Sequence, residues 1–203
     1  MEKHKVFISY YHDDDQSYKD TLCNILNFDG ELFVDYSVRD GDIDDTNKSD
    51  ETIRREIRDD YIADATVLLL LCGPNTKKRK YIDWELHAAM YDTENNPKMG
   101  IIVINLPRSS NNVRAVTERE KEIVSPGSYW VTYSKREEYE NHYPSVPSRI
   151  IDSLVNCHSD ITFVNWETIT KNRFLLKELI DFAFSRRKDV KYDTSAPLRR
   201  KNS

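Results

Sequence analysis

The segment KYIDWELHAAM, residues 80–90, sets Tyr81 and Glu85 four positions apart. On a helix that spacing puts an aromatic plane and a carboxylate on one face, where both can line the same crevice. Trp84, beside Glu85, is expected to turn elsewhere, into the core. By position alone Glu85 also fits an ordinary solvated helix glutamate. A second cluster reads SYYHDDD, with Ser9 and Tyr10 leaving a strand and Asp13, Asp14 and Asp15 at the head of a helix. Acids there cap orphan N–H groups and complement the helix dipole. The loop DGDIDDTNKSDE places Asp40, Asp42, Asp44 and Glu51 at calcium-loop positions one, three, five and twelve. Position six is Asp45 rather than the glycine such a loop needs, and a strand rather than a helix precedes it, so a solvated acidic loop is the preferred reading. The basic run from Lys77 to Lys80 is either a solvated loop or a surface facing a diphosphate.

Other chemistries lack their residues. The five histidines show no HExxH or other ligand spacing, there is no GxSxG elbow, and no glycine-rich phosphate loop or GxGxxG fingerprint follows a strand. No metal and no resident cofactor are expected. Cys23, Cys72 and Cys157 are odd in number and widely spaced, which suits a reducing cytoplasm better than a disulfide framework.

The elements that must position these residues alternate. Val6, Phe7 and Ile8 form a short β-branched and aromatic run, followed by Tyr18, Leu22, Ile25 and Leu26 at helical spacing. Leu32, Phe33 and Val34 make a second strand, and Ile53, Ile57 and Tyr61 a second helix. ATVLLLLC, residues 65–72, has no alternation, as a central strand covered on both faces requires. Gly73 and Pro74 end it, Tyr81, Trp84, Ala88 and Tyr91 mark a third helix, and IIVIN, residues 101–105, is a fourth strand. This order predicts an α/β fold: a flavodoxin-like doubly wound parallel sheet with helices on both faces. In such sheets ligands bind outside the carboxyl ends of the strands, where Ser9, Tyr10, Asp35 and the region from Gly73 to Glu85 fall.

Residues 107–127 read as polar and irregular, Ile161, Thr162, Phe163 and Val164 as a fifth strand, and Leu175, Leu176, Leu179, Phe182 and Ala183 as one face of a final helix. The expected organisation is one domain over residues 1–188, with its core at 5–105 and an elaborated region at 106–188. Residues 189–203 read as a flexible tail. With 38% hydrophobic and 32% charged residues the chain should fold, and a net charge of −5 argues against nucleic-acid and anionic-membrane partners. No apolar signal segment or membrane-spanning run is visible, so a cytoplasmic protein is expected.

KVFISYYHDDD is similar to the first strand and helix start of TIR domains, and KYIDWELHAAM to the helix that carries the catalytic glutamate of their NAD-cleaving members. The chain resembles the TIR-like proteins of bacterial Thoeris antiphage defence over about residues 5–105. Glu85 matches the family's catalytic glutamate and Tyr81 stands where many relatives have tryptophan; Trp84 is a departure. The resemblance implies an NAD glycohydrolase or ADP-ribosyl cyclase, with Glu85 catalytic and Ser9, Tyr10, Asp35 and Tyr81 contacting substrate. NAD is then substrate rather than cofactor, and the product a cyclic ADP-ribose isomer that activates a separate effector protein. Self-association is a further possibility in this family.

The chemistry is coherent, because the nicotinamide of NAD is already cationic and leaves neutral without a general acid. One carboxylate can stabilise the oxocarbenium-like transition state. Two rivals stay open: a non-catalytic TIR interaction scaffold, which an exposed apolar patch would favour, and a nucleoside deoxyribosyltransferase-like enzyme.

Overall fold

The computed structural model describes residues 4–29, 32–34, 38, 42–94, 96–126 and 132–202. Among these, β1 (Lys5–Ser9), β2 (Leu32–Val34), β3 (Val67–Cys72), β4 (Gly100–Asn105) and β5 (Thr162–Asn165) form one sheet in the order β2-β1-β3-β4-β5. Every pairing is parallel. The order reverses between β1 and β3, which is the topological switch point of a flavodoxin-like sheet. The expected fold class is therefore observed.

The strand β3 shows why the chain folds this way. All six of its residues are buried, and successive side chains must point to opposite faces. Leu68, Leu70 and Cys72 enter one core with Phe7, Ile101 and Val103, whereas Val67, Leu69 and Leu71 enter the other with Val6, Ile8, Ile102 and Ile104. Helices α3 (Lys80–Met90) and α6 (Ser148–Cys157) supply Trp84, Leu86, Ile150 and Leu154 to the first core. Helices α1 (His12–Asp29) and α8 (Arg173–Arg186) supply Leu22, Leu26, Leu179 and Ile180 to the second. Each such leucine or isoleucine contributes roughly 1.5–3 kcal/mol by leaving water. The approach of α8 to β4 needs Gly100: a Cβ there would lie 2.3 Å from the Ala183 carbonyl oxygen.

The second helix divides. Helix α2 (Asp50–Glu56) starts at Ser49, whose side chain accepts from the Thr52 N–H, and it passes into a π-helical turn over Ile57–Tyr61. The wider turn closes with the Ile62 N–H donating to the Ile57 carbonyl at 3.1 Å.

Two expectations fail in the carboxyl half. Residues 107–127 are not wholly irregular, because they contain α4 (Glu118–Val124), started by a capping box between Thr117 and Glu120. Residues 189–202 are not a frayed tail. They run as an extended strap over α2 and α3, burying Val190 and Leu198. The physical reason is a set of buried donors that need acceptors: Arg149 donates to the carbonyls of Ala196 and Pro197, and Trp84 Nε1 to that of Arg199 at 2.7 Å. Two further helices, α5 (Arg136–His142) and α7 (Trp166–Lys171), complete the elaborated region. Among the described residues no helix is long and apolar enough to cross a membrane.

Candidate functional site

The carboxyl ends of β1 and β3 deliver Ser9 and Gly73 to the switch point. After β3 the chain turns back through Thr76, whose hydroxyl oxygen accepts from the Gly73 N–H at 2.8 Å. This compact turn packs against α1, where a Cβ on Gly73 would meet Asp15 Oδ1 at 2.9 Å. The acids at the head of α1 thus separate: Asp13 and Asp14 stay exposed, and Asp15 is buried.

Helix α3 starts immediately after this turn and aims Glu85 back at the end of β1. The carboxylate is only 1% exposed. Ser9 Oγ donates to its Oε2 at 2.5 Å, and the Val38 backbone N–H donates to its Oε1 at 2.7 Å. Burial pushes the Glu85 carboxyl up to about 8, and the two hydrogen bonds offset part of that effect because they favour the charged form. An ordinary solvated glutamate has neither the burial nor the partners. Perturbed groups of this kind concentrate where chemistry is done.

A cavity of about 370 Å³ lies beside the end of β1, with Val38, whose N–H bonds this carboxylate, in its wall. Tyr10, Tyr11, Val38, Arg79, Tyr81 and Asn202 are among the residues that line it. Val38 belongs both to the cavity wall and to the carboxylate, so Glu85 lies one residue behind the wall rather than on it. Tyr81 and Trp84 meet edge to face with ring centroids 4.9 Å apart. Trp84 is fully buried, as its neighbouring position predicted. Arg79 stacks its guanidinium over the Tyr11 ring at 3.6 Å.

The structure therefore brings together Ser9, Tyr10, Tyr81 and Glu85. Tyr10 has a mixed part: it lines the cavity, but it is 3% exposed and its hydroxyl donates to Gln16 Oε1 at 2.8 Å. Asp35 lies outside the described residues, as does Asp40 of the acidic loop. Asp44 accepts from the backbone and side chain of Thr46, and Asp45 accepts from Lys80 Nζ at 3.1 Å. Among the described residues no group of three or more His, Cys, Asp or Glu side chains is placed to hold a metal ion.

Sequence reasoning missed Val38 and Asn202 and left Arg79 within a basic run of undecided role. Val38 acts through its backbone, which no side-chain pattern reports. A larger cavity of about 570 Å³ lies beyond β5, walled by Arg114, Lys121, Tyr133 and Tyr143. A buried carboxylate, Glu120, lies one residue behind its wall through the Val116 N–H, but none of its lining residues comes from the ends of β1 and β3, so the smaller cavity, at the switch point, is the candidate site.

A doubly wound sheet in the order 2-1-3-4-5, with FISY closing the first strand and a buried glutamate one turn beyond an aromatic residue on the helix after the third, defines a TIR-like domain. The family model of the TIR-like domain of Thoeris protein ThsB matches residues 7–111, and the chain belongs to that family. No curated protein matches the chain. The family match carries with it the antiphage context of Thoeris defence.

Proposed function

We propose that this chain cleaves the N-glycosidic bond of NAD and releases a cyclic ADP-ribose isomer as a second messenger for a separate effector protein in the cytoplasm. The observation that carries this reading is the Glu85 carboxylate, buried against Ser9 and Val38 beneath an aromatic-walled cavity at the switch point.

The reaction asks little of the protein. The bond between the ribose and the pyridinium nitrogen breaks, its electron pair returns to the ring, and nicotinamide leaves neutral. Positive charge develops on the ribose, where an ionised Glu85 in a low-dielectric site stabilises it strongly. Tyr81 offers a flat wall for a planar group. The acceptor is the oxygen held in attack geometry: a hydroxyl or ring nitrogen of the same molecule gives a cyclic product, and water gives ADP-ribose. Nicotinamide's cation, once bound, favours the carboxylate form of Glu85 and so lowers its raised pKa.

The scaffold reading would be favoured by a contiguous apolar surface. Among the described residues the large hydrophobics left exposed are Tyr91 and Phe174, on α3's end and α8's start. The deciding experiment is chromatography of NAD and its products from phage-challenged cells carrying the chain or Glu85→Gln, with uninfected controls. An ADP-ribose isomer made only by the unaltered chain is the expected result. Identical profiles from both proteins would return the scaffold reading, and cleavage of deoxynucleosides in preference to NAD the transferase one.

A further inference from the structure

The strap ends on the candidate site. Arg199 N donates to Asp83 Oδ2 at 2.9 Å, and Asp83 is held by Arg149, which is 2% exposed and binds both carboxylate oxygens. Leu198 N donates to Asp50 Oδ2 at 2.8 Å, and Arg200 pairs with the other oxygen of Asp50. Fixed at these points, the chain places Asn202 in the cavity wall. Its Oδ1 accepts from the Lys80 N–H at 2.9 Å, where α3 has no side-chain cap of its own.

That bond settles the orientation of the amide. A backbone N–H is only a donor, so the atom facing it is the Asn202 oxygen, and the Nδ2 group is left as a donor. Among the described residues Nδ2 has no partner. Arg79, half-buried on the same wall, also has an unused donor. Its guanidinium carbon sits 3.6 Å from the Tyr11 ring centroid, its Nε is buried without an acceptor, and it makes no ion pair among the described residues. Buried donors are normally satisfied, so the orphaned Arg79 Nε points to a missing acceptor nearby, whereas Asn202 is exposed and its Nδ2 is a donor open to a ligand. One carboxylate shares the wall, Asp13, and it accepts from the Tyr11 hydroxyl at 2.5 Å.

We infer that Arg79 and Asn202 form an anion-recognising rim of the Glu85 cavity that takes a phosphate group of the ligand, so that the carboxyl-terminal strap completes the binding site. This deepens the NAD reading, since a dinucleotide carries a diphosphate between its two ribose units. The strap then has two separable parts: Oδ1 caps α3, and Nδ2 meets the ligand.

Calorimetric titration of the full chain with NAD, ADP and adenosine tests the rim, using Arg79→Gln, Asn202→Ala and Asn202→Asp. The expected result is tighter binding of ADP than of adenosine. Arg79→Gln weakens NAD and ADP binding roughly tenfold or more and Asn202→Ala roughly three- to tenfold, with adenosine unaffected. Asn202→Asp keeps the cap, read as hydrogen-exchange protection of the Lys80 amide, yet fails to restore affinity because it adds an anion in place of a donor. Variants that bind NAD and ADP within twofold of the unaltered chain overturn the rim, and if NAD is still cleaved they leave the proposed function standing. ADP binding that depends on Arg79 in a chain that neither binds nor cleaves NAD upholds the rim and overturns the NAD reading. A chain that binds none of the three overturns both.

Discussion

Ser9 Oγ and Glu85 Oε2 stand 2.5 Å apart although 76 positions separate them in sequence, joined by the switch point between β1 and β3. The hydroxyl donates to the charged form of a carboxyl that burial drives the other way. Ser9, together with the Val38 N–H, thus favours the ionised form of Glu85 against the larger effect of burial.

A pH profile reads this directly. With the Glu85 carboxyl at about 8 in the free protein and ionisation needed for charge stabilisation, kcat/KM for NAD rises with pH and levels off above about 8. The limb in kcat lies at lower pH, because the bound pyridinium cation favours the carboxylate. Ser9→Ala removes a bond to the charged form, so its kcat/KM limb moves to higher pH and its rate near neutrality falls. A flat profile across this range, or an alanine variant shifted to lower pH, would overturn the assignment.

The same burial has a cost in stability. A carboxyl whose folded pKa is raised favours the folded state when protonated; that contribution is complete below the ordinary carboxylate range and is lost as pH rises through about 8. Glu85→Gln imitates the protonated form, and its oxygen can still accept from the Val38 N–H. At pH near 9 it should be more stable than the unaltered chain by at least about 1 kcal/mol, or roughly 2–4 °C in Tm. Near pH 5 the two should melt together. A glutamine variant that melts lower at both pH values would show that Glu85 is a structural group.

Much of this arrangement was legible in the sequence, and the reasons are specific. The run ATVLLLLC can only be a strand covered on both faces, and the four-residue spacing of Tyr81 and Glu85 fixes their common side of α3. Helix α4 was missed although Thr117 and Glu120 carry its capping signature, because the polar residues around it suggested a loop. Asn202 was illegible for a deeper reason. Its partner, the Lys80 N–H, lies 122 positions away and is a backbone group, so nothing in either local sequence marks the pair.

The strap itself is testable by truncation. A frayed tail could be removed within about 0.5 kcal/mol, as most surface changes can. Ending the chain at residue 195 instead leaves Trp84 Nε1 without its acceptor in a fully buried ring, strips two carbonyls from buried Arg149 and exposes the site of Leu198. Each buried unsatisfied donor costs about 1–3 kcal/mol. The expected loss in urea unfolding is about 3 kcal/mol or more, and an unchanged midpoint would show that the strap is not docked.

Glu120 ties the elaborated region together away from the candidate site. Its side chain is fully buried: Oε2 accepts from the N–H groups of Val116 and Thr117 at the head of α4, and Oε1 from Thr162 of β5 and Arg186 of α8. Burial alone would raise its pKa, but Arg186 and these hydrogen bonds outweigh it and hold the carboxyl below the usual glutamate range. Stability from a depressed carboxyl is present above the unfolded pKa and is lost as pH falls through the folded one. Glu120→Gln keeps the volume, leaves Arg186 facing a neutral group in a buried setting, and gives one of the two oxygens' places to a donor. Breaking a buried pair on one side costs about 3–5 kcal/mol. The variant should therefore lose most of that amount near pH 7, with the gap to the unaltered chain closing below about pH 4. Urea unfolding at both pH values measures it, and a gap that persists undiminished in acid would mean that shape rather than charge at position 120 joins α4, β5 and α8.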